Sequence, residues 1–516
     1  MTKTYYLTTP IYYVNGKPHI GHAYTSILCD TFARFHRMIG EKVFYITGTD
    51  EHGIKVQKVA HEKNMDPKAF VDAIVPEFKK LWEVLGIQYD HFIRTTDDYH
   101  KETVRKVLSD LEAKGDIYKA SYHGWYCTPC ESFWTELQLK EGNCPECGRG
   151  VDRLEEENYF FKMSSYQTWL IDYIQKNPDF IRPEYRKNEV LGFLREPLED
   201  LCITRPKTRL TWGIEYPGSK DHVVYVWFDA LLNYLSGAGY LQDDKKFGSL
   251  WPADLHLMAK DILRQHAIFW PIMLHAMGVA MPKLVFAHGW WKFGGAKMSK
   301  SVGNVVDPIT LVQKYSSDVL RYFLLNEVTL GLDGTYSEDL LVERYSSDLA
   351  NSLGNLWHRT ASMIEKYFEG KIPEGARGHR FYNPIQLWED VSKAVLAYEP
   401  REALARIWEV ITRANQFVEE TKPWTLAKDP SKKDELAEVL FNLADCVAHV
   451  GVLLQAFMPE TSKRILDRLK VASCEKVTSD REFCKSLVAV GTMIEKGEPL
   501  FPRLDPSTAS GAEGKA

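Results

Sequence analysis

The sequence predicts an α/β protein built on a doubly wound parallel sheet, interrupted by an insertion with a metal knuckle and followed by an all-α bundle. Three observations predict it. Strand-like and helix-like patterns alternate over residues 1–112 and again over 223–337. Two Cys-x-x-Cys pairs interrupt the alternation between 113 and 222, and beyond Ser337 the strand patterns stop and helical periodicity takes over. At 516 residues the chain exceeds one ordinary core. The expected division is therefore two halves of one nucleotide-binding domain (1–112 and 223–337), an insertion (113–222), a helical domain (338–504) and a disordered tail (505–516).

The alternation starts with a strand pattern at Thr4–Thr9, a turn through Asn15-Gly16 and Pro18, and a helical pattern from Ile20 to Ile39 that stops at Gly40. A second strand pattern, Lys42–Thr47, runs into Gly48-Thr49-Asp50-Glu51-His52-Gly53. Two β-α units joined in this way predict a Rossmann-like sheet whose ligands sit at the carboxyl ends of its strands. Asp50 stands at such an end, where a carboxylate can hold an amino group, although aspartate is also an ordinary turn residue. The pattern is irregular over 113–222 and resumes as strand at His222–Phe228 and at Lys283–Ala287. Helices are expected at Glu338–Glu369, Pro384–Ala397, Pro400–Thr421, Lys432–Phe457 and Pro459–Leu469, which together describe a bundle. Ser507–Ala516 is small and polar, the composition of a loose terminus.

With 45% hydrophobic and 26% charged residues, the chain reads as an ordinary globular protein. The N-terminus leads straight into a strand without an apolar secretory segment. The longest apolar run, near Val450–Met458, is too short to span a bilayer, so a cytoplasmic protein without a membrane partner is expected. A net charge of −6 argues against indiscriminate coating of nucleic acid, but leaves room for one shaped RNA partner.

Nine cysteines, an odd number, suit reduced thiols. Four of them, Cys127, Cys130, Cys144 and Cys147, form C-x2-C-x13-C-x2-C, with Pro129, Pro145 and Gly148 supplying turns. Four thiolates satisfy a tetrahedral zinc ion with no open position, so structural zinc is expected. A redox pair is the rival, but it belongs near the start of a helix in a β-α unit rather than twice in a loop.

His19 and His22 lie three residues apart at the start of the first helical pattern, on one face of its first turn. Exposed amides and the helix dipole favour anions there, and imidazole donors beside Gly21 can hold phosphate oxygens. Far downstream, Lys297-Met298-Ser299-Lys300-Ser301 follows Gly294-Gly295, placing two lysines where a loop can close over a polyphosphate. Either motif alone is ordinary surface. Together, His-Ile-Gly-His and Lys-Met-Ser-Lys-Ser resemble the paired signatures of the class I aminoacyl-tRNA synthetases.

The stretch between the signatures has no room for the large hydrolytic domain carried by the enzymes for branched aliphatic amino acids. Because a hydrophobic pocket distinguishes one methylene by only about 1–3 kcal/mol, the amino acid expected here is long, unbranched or polarisable. Aromatic residues at Tyr225–Phe228 and Ile262–Trp270 suit a thioether, although aromatic runs more often make core. Thr9–Gly16, Tyr225-Val226-Trp227 and the cysteine knuckle together resemble the methionyl-tRNA synthetases over nearly the whole chain.

The resemblance implies activation of L-methionine by ATP with Mg²⁺, followed by transfer to the terminal adenosine of tRNA(Met). It assigns Ile11, Tyr13, Asp50, Trp227, Ala230, Tyr234, Ile262 and His266 to methionine. It assigns His19, Gly21, His22, Asp261, Lys297 and Lys300 to ATP, with His19, His22, Lys297 and Lys300 catalytic. Asn355 and Arg359, at i and i+4 on one helix, and Trp424 at a later helix end are assigned to the anticodon. Ala259 stands where a glycine often precedes the ribose aspartate, a departure that touches the role of Asp261. A chain ending soon after Leu504 is expected to be a monomer. The rivals are another nucleotidyltransferase of the same fold, or a non-catalytic tRNA-binding protein.

Overall fold

The computed structural model describes residues 4–128, 132–134, 136–145, 147–293, 296–297, 306–375, 381–471, 483 and 485–504. The chain forms two compact units. One comprises 1–18, 43–80 and 88–288, and the other 19–42, 81–87 and 289–516.

The first unit is organised on a parallel sheet of seven strands: β1 (Tyr5–Thr8), β2 (Tyr12–Tyr13), β3 (Val43–Asp50), β4 (His91–Arg94), β5 (Ile181–Arg182), β6 (Leu255–Ala259) and β7 (Val285–His288). Their order is β2-β3-β1-β6-β7-β5, with β4 also alongside β3, so the chain winds outward from β1 in both directions. This is the expected Rossmann-like parallel fold. Its apolar interior includes Tyr6, Ile46, Met258, Val285 and the fully buried Trp270.

Three features differ from the sequence reading. The apolar run from His222 is a strand only to Val224, pairing antiparallel with Thr204–Pro206 outside the main sheet; a helix occupies Val226–Leu231. A short all-apolar run carries no periodicity to separate strand from buried helix. The central strand β6, Leu-His-Leu-Met-Ala, is five residues long and shows no polar–apolar alternation on its buried faces, so its pattern does not mark it as a strand. The insertion, irregular in sequence, contains a four-stranded antiparallel sheet in which Ile117–Cys127 pairs with Asp152–Phe161 along its whole length. Half of the latter strand is charged, and four of those five residues are exposed, which hides its alternation.

The second unit is mainly helical. It includes the Ile20–Met38 helix and a run from Glu338 to Phe368 whose middle, Tyr345–Gly354, is wound as a π-helix. Helices follow at Pro384–Leu396, Pro400–Thr421, Lys433–Leu454 and Pro459–Leu469. Arg321 is fully buried here. It pairs with Asp30 of the first helix at 2.7 Å and donates to the carbonyls of Phe457 and Ala456, so its charge is compensated on several sides. One helical stretch, Pro430–Leu454, is long and apolar enough to cross a membrane by length and composition, longer than the run expected from sequence, but 94% of its apolar window is buried in the protein.

Candidate active site and metal knuckle

In a doubly wound sheet, ligands bind beyond the carboxyl ends of the strands where the winding reverses. That point in the first unit is β1, flanked by β3 and β6. Ile11 follows β1, Asp50 ends β3, and Asp261 and Ile262 follow β6 on a short 3₁₀ turn. Three neighbouring strands thus deliver four of the sequence candidates to one edge. Tyr13 pairs with Asp50 in register, and Val14 N donates to the Asp50 carbonyl. Asp50 is a buried carboxylate, while Asp261 is exposed.

Trp227 and Ala230 lie on the Val226–Leu231 helix, and Tyr234 on the turn of helix that follows. Ile11, Tyr13, Trp227 and Ile262 are partly exposed and pack on the same apolar cluster as buried Tyr234. Tyr234 is fixed at both ends: its carbonyl accepts from the Tyr6 hydroxyl at 2.7 Å, and its own hydroxyl lies 2.7 Å from His266 Nε2. His266 Nδ1 faces the Ile262 carbonyl at 2.8 Å, which can only accept. Nδ1 therefore carries the proton and Nε2 accepts from Tyr234. Burial pushes the His266 pKa down to about 4, keeping the ring neutral.

Sequence reasoning gave Glu51 no role, although it stands beside Asp50. Its carboxylate, fully buried, receives two bonds from Arg94 at 2.6 and 2.8 Å and further bonds from Thr49 and Thr96. This holds the backbone turn that carries Asp50. The available signal was three consecutive chemistry-bearing residues at a strand end.

In the second unit, His19 caps the Ile20–Met38 helix. Its Nδ1 accepts from Gly21 N at 3.1 Å, and His22 Nδ1 accepts from His19 N at 2.9 Å. Because backbone amides only donate, the neutral form of each ring has its proton on Nε2. Two imidazole donors, with ring centroids 3.9 Å apart, are thereby set at a helix N-terminus. Gly21 is required by the same arrangement: a Cβ there would stand 2.9 Å from His19 Cε1.

The strand containing Lys297 pairs with Trp291–Phe293, placing Lys297 opposite Lys292. Lys300 lies outside the described residues. Val306, just after the Lys-Met-Ser-Lys-Ser segment, accepts through its carbonyl from Ile20 N at 3.3 Å. Val306, five residues past Ser301, is thus tied to the first turn of the His19–His22 helix.

Further along this unit, exposed Asn355 and half-buried Arg359 lie on the Asn355–Phe368 helix. The Arg359 guanidinium lies 5.6 Å from the ring centre of Trp424, which is 37% exposed, and pairs with Glu419 at 2.7 Å. The fold brings together an arginine and a tryptophan far apart in sequence.

In the first unit, the thiols of Cys127, Cys144 and Cys147 lie within 4.8 Å of one another. Cys130 lies outside the described residues. Three converging thiols form a soft donor set that can bind a metal ion such as zinc.

A doubly wound parallel sheet in one unit and a histidine-capped helix start in the other are features of the class I aminoacyl-tRNA synthetases. Comparison with known proteins places the chain within that class. Residues 5–154 and 149–361 match the family described as tRNA synthetases class I (M), and 378–511 match the anticodon binding domain of methionyl tRNA ligase. The methionine–tRNA ligase of Caldanaerobacter subterraneus subsp. tengcongensis is 49% identical over 98% of this chain and 80% of its own length. That of Thermotoga maritima is 44% identical over 97% of this chain and 80% of its own. The Mycobacterium tuberculosis methionyl-tRNA synthetase in complex with methionyl-adenylate superposes with a TM-score of 0.92 at 40% identity, over 97% of this chain and 100% of that one. The chain belongs to the methionine–tRNA ligase family and is an enzyme, a ligase.

Proposed function

We propose that this chain activates L-methionine with ATP and transfers it to the terminal adenosine of tRNA(Met). The observation that carries this reading is the Ile20–Val306 hydrogen bond, which brings the start of the His19–His22 helix to the chain five residues past the Lys297–Ser301 segment. Those are the two segments such chemistry needs around a polyphosphate.

In the first step the methionine carboxylate attacks the α-phosphate of ATP and pyrophosphate leaves. No side-chain nucleophile is required. Catalysis rests on positioning and on donors that tighten as charge develops on phosphorus. We assign that work to the Nε2–H groups of His19 and His22 and to Lys297 and Lys300, with Gly21 leaving the turn open and Asp261 on the ribose. Mg²⁺ is the expected counter-ion of ATP. Asp50 binds the α-amino group, and Ile11, Tyr13, Trp227, Ala230, Tyr234, Ile262 and His266 surround the thioether. Asn355, Arg359 and Trp424 meet anticodon bases, for which an indole beside a guanidinium is suited by stacking.

Cys127, Cys130, Cys144 and Cys147 would hold a structural zinc ion, which supplies folding energy to the insertion and takes no part in the reaction. The enzyme is read as cytoplasmic.

Methionine-dependent ATP–pyrophosphate exchange, run against the other amino acids and followed by charging of tRNA(Met), tests this reading. Exchange with a different acid, or none, overturns it.

A further inference from the structure

Asp229 is completely buried, and a carboxylate in that setting persists only with charge-assisted partners on its oxygens. Both oxygens have one. His52 Nδ1 lies 2.6 Å from Oδ2, and His100 Nε2 lies 2.7 Å from Oδ1. Because an ionised carboxylate only accepts, both rings donate to it. His100 then turns Nδ1 to the Ser236 hydroxyl at 2.8 Å. The two histidines hold the Asp229 carboxyl below its ordinary range despite a burial that alone would raise it.

The three elements so joined are not equivalent. Asp229 lies on the Val226–Leu231 helix, two residues after Trp227 and one before Ala230. His52 lies two residues after Asp50, at the end of β3. The turn that joins them is itself fixed. The Trp212 indole packs edge-on to His52 with centroids 5.4 Å apart and donates through Nε1 to the Glu51 carbonyl at 2.6 Å. Gly53 N in turn donates to the Trp212 carbonyl.

We propose that Asp229, acting through His52, is a positioning residue that sets the spacing between Asp50 and the Trp227–Ala230 wall, and so matches the site to an amino acid of methionine's length. This rests on the assignment of Asp50, Trp227 and Ala230 to methionine. His100 and Ser236 back the carboxylate from the other side, so the helix cannot shift without breaking a buried charged contact.

The test compares His52→Ala, His52→Asn and Asp229→Asn in methionine-dependent ATP–pyrophosphate exchange, with melting temperatures measured alongside. An asparagine amide donates from nearly the position of Nδ1. The expected result is a methionine KM raised about tenfold or more in His52→Ala and Asp229→Asn, with the ATP KM within about twofold, and most of the loss recovered in His52→Asn. If Asp229→Asn fails to fold, the two His52 variants decide. A His52→Ala enzyme with unaltered methionine KM, one in which both KM values rise together, or a His52→Asn enzyme that recovers nothing overturns the proposal. If Asp50→Asn and Trp227→Ala also leave the methionine KM unchanged, the assignment of the methionine site falls, and the positioning role with it.

Discussion

The Tyr234 hydroxyl donates to His266 Nε2 because His266 has its only proton engaged with the Ile262 carbonyl. The tyrosine is thereby oriented by a residue 32 positions away, with its ring packed 4.3 Å from His256 and 5.8 Å from Trp270. Tyr234→Phe keeps the ring and removes the donor, leaving a buried imidazole nitrogen without its bond. A loss of about 1–3 kcal/mol in unfolding free energy is expected, with a raised methionine KM in exchange. Denaturant unfolding and exchange kinetics on the same variant check it.

Burial of His266 also makes stability depend on pH. Its folded pKa of about 4 lies below the ordinary histidine value of about 6.5. Between those limits the unfolded chain binds a proton that the folded chain does not, so stability rises with pH. It is lost as pH falls from about 6.5 through about 4, and this contribution flattens below. The full effect is on the order of a few kcal/mol. Urea unfolding at pH 7, 6 and 5 should show this slope, and His266→Gln should make it shallower by about one proton. An unaltered slope would assign the pH dependence to other groups.

Gly21→Ala places a Cβ against the His19 ring, 2.9 Å from Cε1 and 3.0 Å from Nδ1. The ring must move, and the cap it gives Gly21 N moves with it. Since alanine favours the helix interior by up to about 1 kcal/mol over glycine, stability should change little. The rate of methionine activation should fall about tenfold to a hundredfold. Loss of stability in proportion to activity would show that the ring contact is only structural.

Arg359 and Trp424 should act as one unit. Replacing either with alanine is expected to weaken charging of tRNA(Met) while leaving ATP–pyrophosphate exchange intact, and the double variant should cost less than the sum of the two, because both report on one stacked pair. Equal loss of both reactions would move the pair to a structural role.

Cys144→Ser removes one of the three converging thiols. Metal analysis of freshly purified, reduced protein should find near-stoichiometric zinc in the parent and much less in the variant, with the insertion more readily proteolysed. Equal metal content in both proteins would count against the knuckle.

Local chemistry made much of this legible. The histidine cap, the lysine segment and the cysteine pairs are short-range sequence patterns; the spacing of His19 and His22 alone puts both rings on one turn, and the helices at Pro400–Thr421 and Pro459–Leu469 fall where their periodicity and prolines set them. The sequence by itself therefore determined where the recognisable motifs fall along the chain and the alternation of elements. Tertiary structure decided which strands are neighbours, that β6 rather than the His222 run lies beside β1, and that the Trp227 segment is a helix. It also decided the partners of Asp229, whose histidines lie 177 and 129 residues away. A buried charge is stable only where the fold brings donors to it, and local periodicity carries no record of contacts at that separation.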